Sequence, residues 1–150
     1  MRKKERNLDK KTILFICTHN SARSQMAEGF VKTLLGQHYD VYSGGTEPTA
    51  INPYAVKVMQ EVGIDISDQY VKNVNDFVDR KIDYVVTVCD QAQDSCPFFP
   101  GAKTYIHKGF PDPSAFAGTE EEILEQIRKI RDEMKVWIVE TFSHDEKQES

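Results

Sequence analysis

The sequence is poor in cysteine, with three in 150 residues. Three are too few for a disulfide framework, and an odd count leaves one unpaired. It also lacks any apolar run near the roughly 20 residues that cross a bilayer. A charged start, Met1 to Lys11, followed by the short apolar stretch Ile13 to Ile16, reads against a signal peptide. Positive charge is in deficit, 19 Lys and Arg against 24 Asp and Glu, for a net charge of -5. That deficit disfavours non-specific nucleic-acid binding. An anionic ligand must therefore be met by local positive potential. No two Cys or His residues have a ligand spacing such as C-x2-C, so no metal site is expected. These absences together describe a cytoplasmic protein with no membrane or nucleic-acid partner. Its thiols stay reduced and are catalytic or simply buried.

What is present is an ordinary globular composition, 39% hydrophobic and 29% charged. One domain over 1–150 is expected, with an ordered core at about 11–142 and flexible tails at 1–10 and 143–150. Within the core, apolar bursts alternate with helical patterns. Thr12 to Cys17 is a continuous apolar run, as for a strand buried on both faces. Asp83 to Val88 is a second such run, while Val41 to Ser43 and Thr104 to Ile106 read as short strands. Ser24 to Leu35 has helical periodicity, with Met26, Phe30, Val31, Leu34 and Leu35 on one stripe and Gly36 at its C′ position. Asn52-Pro53 starts a helix that stops at Gly63, and Asn73 to Asp79 reads as a short helix. A last helix opens with the capping box Thr119/Glu122 and carries Ile123, Ile127, Ile130, Met134, Trp137 and Ile138 toward the core. The alternation implies an α/β fold: a small four-stranded parallel sheet with helices on both faces. Ligands of such sheets sit beyond the carboxyl ends of the strands, where Cys17 falls.

Cys17 to Arg23 is a C-x5-R element. Alone it is a weak signal, but here it leaves a buried strand and opens a helix. The amides of Thr18, His19, Asn20, Ser21, Ala22, Arg23 and Ser24 can then converge on one tetrahedral oxyanion. Arg23 can hold two of its oxygens in bidentate fashion. The same field favours the thiolate of Cys17, to which Ser24 can donate a hydrogen bond, while Asn20 braces the loop. Asp112 precedes Pro113, a pairing that by itself is more often a turn than a proton donor. Cys89 and Cys96 lie seven residues apart, and the residues alone leave open whether they act or are incidental.

The segment Cys17 to Gly29 (CTHNSARSQMAEG) resembles the active-site segment of thioredoxin-coupled arsenate reductases, which share the low-molecular-weight tyrosine phosphatase fold. Val41 to Gly45, Glu61 to Ser67, Tyr84 to Cys89 and Gly109 to Pro113 carry the resemblance through the chain. The resemblance implies a function and residue roles. Cys17 attacks arsenate, and Asp112 is the general acid. Cys89 attacks Cys17 and releases arsenite, and Cys96 attacks Cys89. Thioredoxin, or a related thiol reductant, reopens the Cys89–Cys96 disulfide, and no cofactor is bound. The alternative is a tyrosine phosphatase or small phosphatase using Cys17, Arg23 and Asp112. Against it, such phosphatases usually carry tyrosines after the Asp-Pro, where this chain has Ser114, Ala115, Phe116 and Ala117. It also has Gln25 where they have proline. A module that binds oxyanions or senses redox state without turnover would need neither nucleophile nor acid. His19 departs from the glycine of better-known members, and Ala22 from a further cysteine. Many relatives place potassium beneath the loop, on counterparts of Asn20, Glu28, Ser43 and an aspartate. The aspartate position here is Lys72, whose ammonium either replaces the ion or is simply solvated.

Overall fold

The computed structural model describes residues 10–149. Strand β1 spans Lys11–Cys17, β2 Tyr39–Gly45, β3 Tyr84–Thr87 and β4 Thr104–His107. All pair in parallel, in the order β2-β1-β3-β4. Helix α1 spans Arg23–Leu35, α2 Pro53–Gln60, α3 Asp90–Ser95 and α4 Glu120–Glu149. Short 3-10 turns cover Val74–Phe77 and Pro113–Ala115. The steps β1 to β2 and β3 to β4 run in opposite directions across the sheet. Right-handed crossovers therefore carry α1 and α3 to opposite faces. Among the described residues, no helix is long and apolar enough to cross a membrane.

Each element starts and stops for a local reason. Ile13 to Ile16 of β1 are fully buried, as a central strand covered on both faces must be. The Asn52 side chain caps α2 by accepting from the amides of Tyr54 and Ala55. The far end of α2 closes as a Schellman motif: Ile64 N–H bonds Met59 O and Gly63 N–H bonds Gln60 O. Gly63 takes φ 81° there, which only glycine adopts freely. Thr119 and Glu122 form the expected capping box, each donating its amide to the other's side chain.

Some sequence expectations shift. Gly36 ends α1 at φ -63°, a right-handed conformation rather than the left-handed one expected of a C′ glycine. Leu34, placed on the buried stripe, is 40% exposed, while Leu124 joins the core. The strand expected over Asp83 to Val88 is shorter, Tyr84–Thr87, and Cys89 is the N-cap of α3. The expected tail at 1–10 lies outside the described residues except for Lys10, and the tail at 143–150 begins inside α4.

Aromatic side chains tie the last helix to the sheet. The Phe142 ring meets Phe15, Tyr39, Tyr84 and Trp137 edge-on, at centroid distances of 6.4, 5.6, 5.5 and 6.0 Å. Tyr39 Oη donates to Phe142 O at 2.8 Å. Arg131 of α4 donates to Val58 O and Glu61, and Arg128 forks onto the same Glu61 carboxylate. The bonds from Arg128, opposed in part by burial, hold the Glu61 carboxyl down at about 2. With α4 so fixed, the strand ends on the opposite edge of the core are free to carry chemistry.

Candidate active site

β1 ends at Cys17, and α1 begins six residues later at Arg23. The intervening loop turns sharply because Asn20 adopts φ 53°, a left-handed conformation that asparagine tolerates better than most residues. The Asn20 side chain is fully buried and spends both of its ends. Nδ2 donates to Ser24 Oγ at 2.8 Å and to Ser43 Oγ at 3.0 Å. Oδ1 accepts from Gln25 Nε2 at 3.0 Å and from the Lys72 amide at 2.9 Å. Gly45 lets β2 approach, since a Cβ there would stand 2.7 Å from Thr18 O and 2.9 Å from Asn20 N. No side chain caps α1 at Ala22, which leaves the first amides of that helix available to an anion.

Cys17 is 2% exposed, and its sulfur sits where β1 points at the helix. It accepts the Asn20 amide at 3.2 Å and lies 2.9 Å from Ser24 Oγ. Ser24 Oγ also accepts from Asn20 and can donate its own proton to the sulfur. Arg23 is buried at the loop's end, with Nη1 donating to Phe110 O at 3.0 Å.

Asp112 faces this arginine, with Oδ1 3.6 Å from Arg23 Nη2. Burial pushes its carboxyl up, but the Ser114 amide and hydroxyl, then the charges of Arg23 and His19, outweigh that and hold it below the usual carboxylate range. Cys17, His19, Ser21, Ala22, Arg23, Thr49, Asn52, Asp112, Pro113 and Ser114 enclose a cavity of about 160 Å³. That is below the several hundred Å³ of a drug-sized ligand site and suits a small ion.

The second and third thiols approach from β3 and α3. Cys89 is 3% exposed, and its sulfur lies 3.3 Å from Thr18 Oγ1. The same hydroxyl donates to Gln91 Oε1 at 3.2 Å. Thr18 therefore bridges the Cys17 loop to the start of α3. Cys96 is half-buried at the other end of α3, and burial pushes its thiol up. All three cysteines are free.

Beneath the loop, Ser43 Oγ donates to Glu28 Oε1 at 2.5 Å. Lys72 Nζ stands 3.6 Å from that carboxylate oxygen and donates to Tyr70 O at 2.6 Å. Its side chain is 11% exposed, so it is not the solvated lysine the sequence also allowed. Burial lowers its ammonium's pKa, and Glu28 partly offsets this. Among the described residues, no group of His, Cys, Asp and Glu is placed to hold a metal ion.

Of the expected site residues, Cys17, His19, Ser21, Ala22, Arg23 and Asp112 line one cavity, whereas Thr18, Asn20 and Ser24 do not; Cys89 is one hydroxyl away and Cys96 at the far end of α3. Sequence reasoning missed Thr49 and Asn52 in the cavity wall. It also missed the Phe110 carbonyl that grips Arg23 and the bridging position of Thr18. Only the Asn52 cap had a local signal, and that signal spoke of a helix start. The other three arise from segments far apart in the chain.

Residues 12–148 match the family described as low molecular weight phosphotyrosine protein phosphatase. An arsenate reductase of Halalkalibacterium halodurans is 49% identical over 127 residues, 85% of this chain and 91% of the relative. Among solved structures, an arsenate reductase in its oxidized state superposes with a TM-score of 0.75 at 32% identity, over 87% of this chain and 95% of the other. A thioredoxin-dependent arsenate reductase of Corynebacterium glutamicum does so with a TM-score of 0.63 at 33% identity, over 88% of this chain and 63% of that one.

Proposed function

Because this chain belongs to the low molecular weight phosphotyrosine protein phosphatase family, we propose that its site reduces arsenate to arsenite. Arsenate sits in the loop on the amides of Thr18 to Ser24, with Arg23 on two oxygens. The Cys17 thiolate attacks arsenic, an As–S bond forms, and one oxygen leaves as water. Asp112 delivers the proton. Its carboxyl is ionised in the empty site, so the proton arrives with the substrate. A bound oxyanion beside the carboxylate makes holding that proton favourable. Cys89 then attacks the Cys17 sulfur: an S–S bond forms, the S–As bond breaks, and its electron pair reduces As(V) to As(III). Cys96 attacks Cys89, which frees Cys17 and leaves a Cys89–Cys96 disulfide. An external dithiol, thioredoxin or a relative of it, reopens that bond by two further exchanges.

One observation carries this reading over the phosphatase alternative. A second buried thiol, Cys89, rests against the hydroxyl of Thr18 in the nucleophile's own loop. Ester hydrolysis needs no such thiol, whereas reduction needs a dithiol to supply two electrons. The cavity's small volume and the absence of tyrosine from Ser114 to Ala117 point the same way. The raised Cys96 thiol fits its place as the last to react. Burial raises its pKa and so lowers its thiolate fraction while α3 is formed. Arsenate-dependent NADPH oxidation, coupled through thioredoxin and its reductase, should proceed with wild type and fall to background with Cys89→Ser. Equal rates for the two would remove Cys89 from the chemistry. Faster turnover of an aryl phosphate than of arsenate would favour the phosphatase.

Lys72 supports a second element of the reading: its ammonium takes the place that potassium occupies in many relatives. Lys72 and Lys32 then neutralise Glu28, which holds Ser43, which receives Asn20. Exchanging potassium for sodium should leave wild-type turnover unchanged. Lys72→Ala should lose activity several-fold and regain part of it in potassium. A potassium requirement in wild type would contradict this assignment.

A further inference from the structure

Alternate residues of a strand project to one face, and on β4 these include Tyr105 and His107. Both side chains end on the stretch that carries Cys96. His107 pairs in register with Thr87 of β3, and its Nδ1 lies 2.8 Å from Thr87 Oγ1. Its Nε2 lies 2.9 Å from Asp90 Oδ1. A carboxylate only accepts, so Nε2 carries a proton. Asp90 is the first residue of α3 and follows Cys89 directly. Gly109 leaves room for the pair, because a Cβ there would stand 2.8 Å from Asp90 Oδ1. At the other end, Tyr105 Oη accepts the Phe99 amide at 2.8 Å and lies 3.3 Å from Phe99 O. Phe99 itself is buried, whereas the adjacent Phe98 is 76% exposed.

We propose that His107 and Tyr105 are positioning residues that fix the two ends of the stretch 91–98, so that the disulfide step moves Cys96 to a stationary Cys89. The proposal rests on the thiol relay above. In the closed helix the two cysteine Cα atoms are about 10 Å apart at 1.5 Å rise per residue. A disulfide needs roughly 5.5–6 Å. Either cysteine could travel, but Cys89 must remain near Cys17 for the preceding exchange. The His107–Asp90 contact holds it there from one side and Thr18 from the other. Between the anchors, Ala92 and Gln91 are the main ties to the body, and the remaining side chains of α3 are exposed. Three residue steps separate Cys96 from Phe99, enough for about 10 Å of reach, so the second anchor permits the swing. Without that anchor the opening would run on into the turn before β4.

The Asp90 side chain is 90% exposed, so the kinetic effect of breaking its contact is modest, about two- to fivefold. Position is the sharper readout. Hydrogen exchange by mass spectrometry should be compared between the reduced protein and the protein after one arsenate turnover without reductant. In wild type, faster exchange in the oxidised form is expected over 91–98 alone. In His107→Ala it should spread back through Val88 to Asp90, with disulfide formation slowed about two- to fivefold. Gly109→Ala, which displaces Asp90 without altering the histidine, should do the same. In Tyr105→Phe it should spread past Phe99 toward Ala102. Wild-type exchange that already extends beyond 90 or 99, or variants that keep wild-type boundaries, would overturn the proposal. If wild type forms no Cys89–Cys96 bond at all, the relay itself fails, and the positioning role fails with it.

Discussion

Cys17→Ser is expected to remove arsenate turnover almost entirely, by on the order of 10⁶-fold, as when other enzymes lose a covalent nucleophile. Oxyanion binding should survive. The proposed cradle consists of amides from Thr18 to Ser24 and of Arg23, whose grip on Phe110 O does not involve the thiol. The Asn20 bracing to Ser24, Ser43 and Lys72 is likewise independent of the sulfur. A serine hydroxyl accepts the Asn20 amide as the sulfur did, but it is not ionised and does not form the S–S bond that the second step requires. Single-turnover arsenite production, with titration of arsenate or phosphate by calorimetry, separates the two effects. Substantial arsenite from Cys17→Ser would remove this residue from the mechanism.

Asp112→Asn is expected to slow the first chemical step by about 10²- to 10⁴-fold and to spare the thiol exchanges that follow. Folding should be unaffected. The role of Asp112 as cap of the Pro113–Ala115 turn uses Oδ1 as an acceptor from Ser114, and an asparagine oxygen accepts equally well. The amide can neither carry nor deliver the proton that the departing oxygen needs. The measurement is the rate of arsenic–sulfur adduct formation in a rapid-quench single turnover. An unchanged rate would leave Asp112 as a turn residue only.

The fold was legible wherever a pattern was local. Thr12 to Cys17 reads as a central strand because both faces are covered, and Asn52, Gly63 and Thr119 mark helix ends through bonds within a few residues. β4 was a weaker signal, since an edge strand with mostly exposed side chains shows little pattern. The loop from Cys17 to Arg23 was legible because strand, loop and helix are contiguous from β1 into α1. The supports of the loop were not. Phe110 is 87 residues from Arg23, Cys89 is 71 from Thr18, and Lys72 is 52 from Asn20. Such contacts are made by tertiary approach and leave no periodicity behind. Leu34 shows the opposite failure. It satisfies the helical stripe, yet in the last turn of α1 it is 40% exposed. The stretch Asp90 to Ser95 carries no large apolar residue; its ties are the buried Ala92 and two polar contacts, Asp90 to His107 and Gln91 to Thr18.

The central claim is that three thiols act in sequence, and disulfide mapping after one turnover tests it most directly. Wild type treated with arsenate in the absence of reductant, then alkylated and digested, should yield a Cys89–Cys96 peptide pair, a free Cys17 and one arsenite per chain. Cys96→Ser should stop one step earlier, with Cys17 joined to Cys89. Intact turnover in wild type with no Cys89–Cys96 linkage would contradict the account and leave a single-thiol enzyme served by an external small thiol.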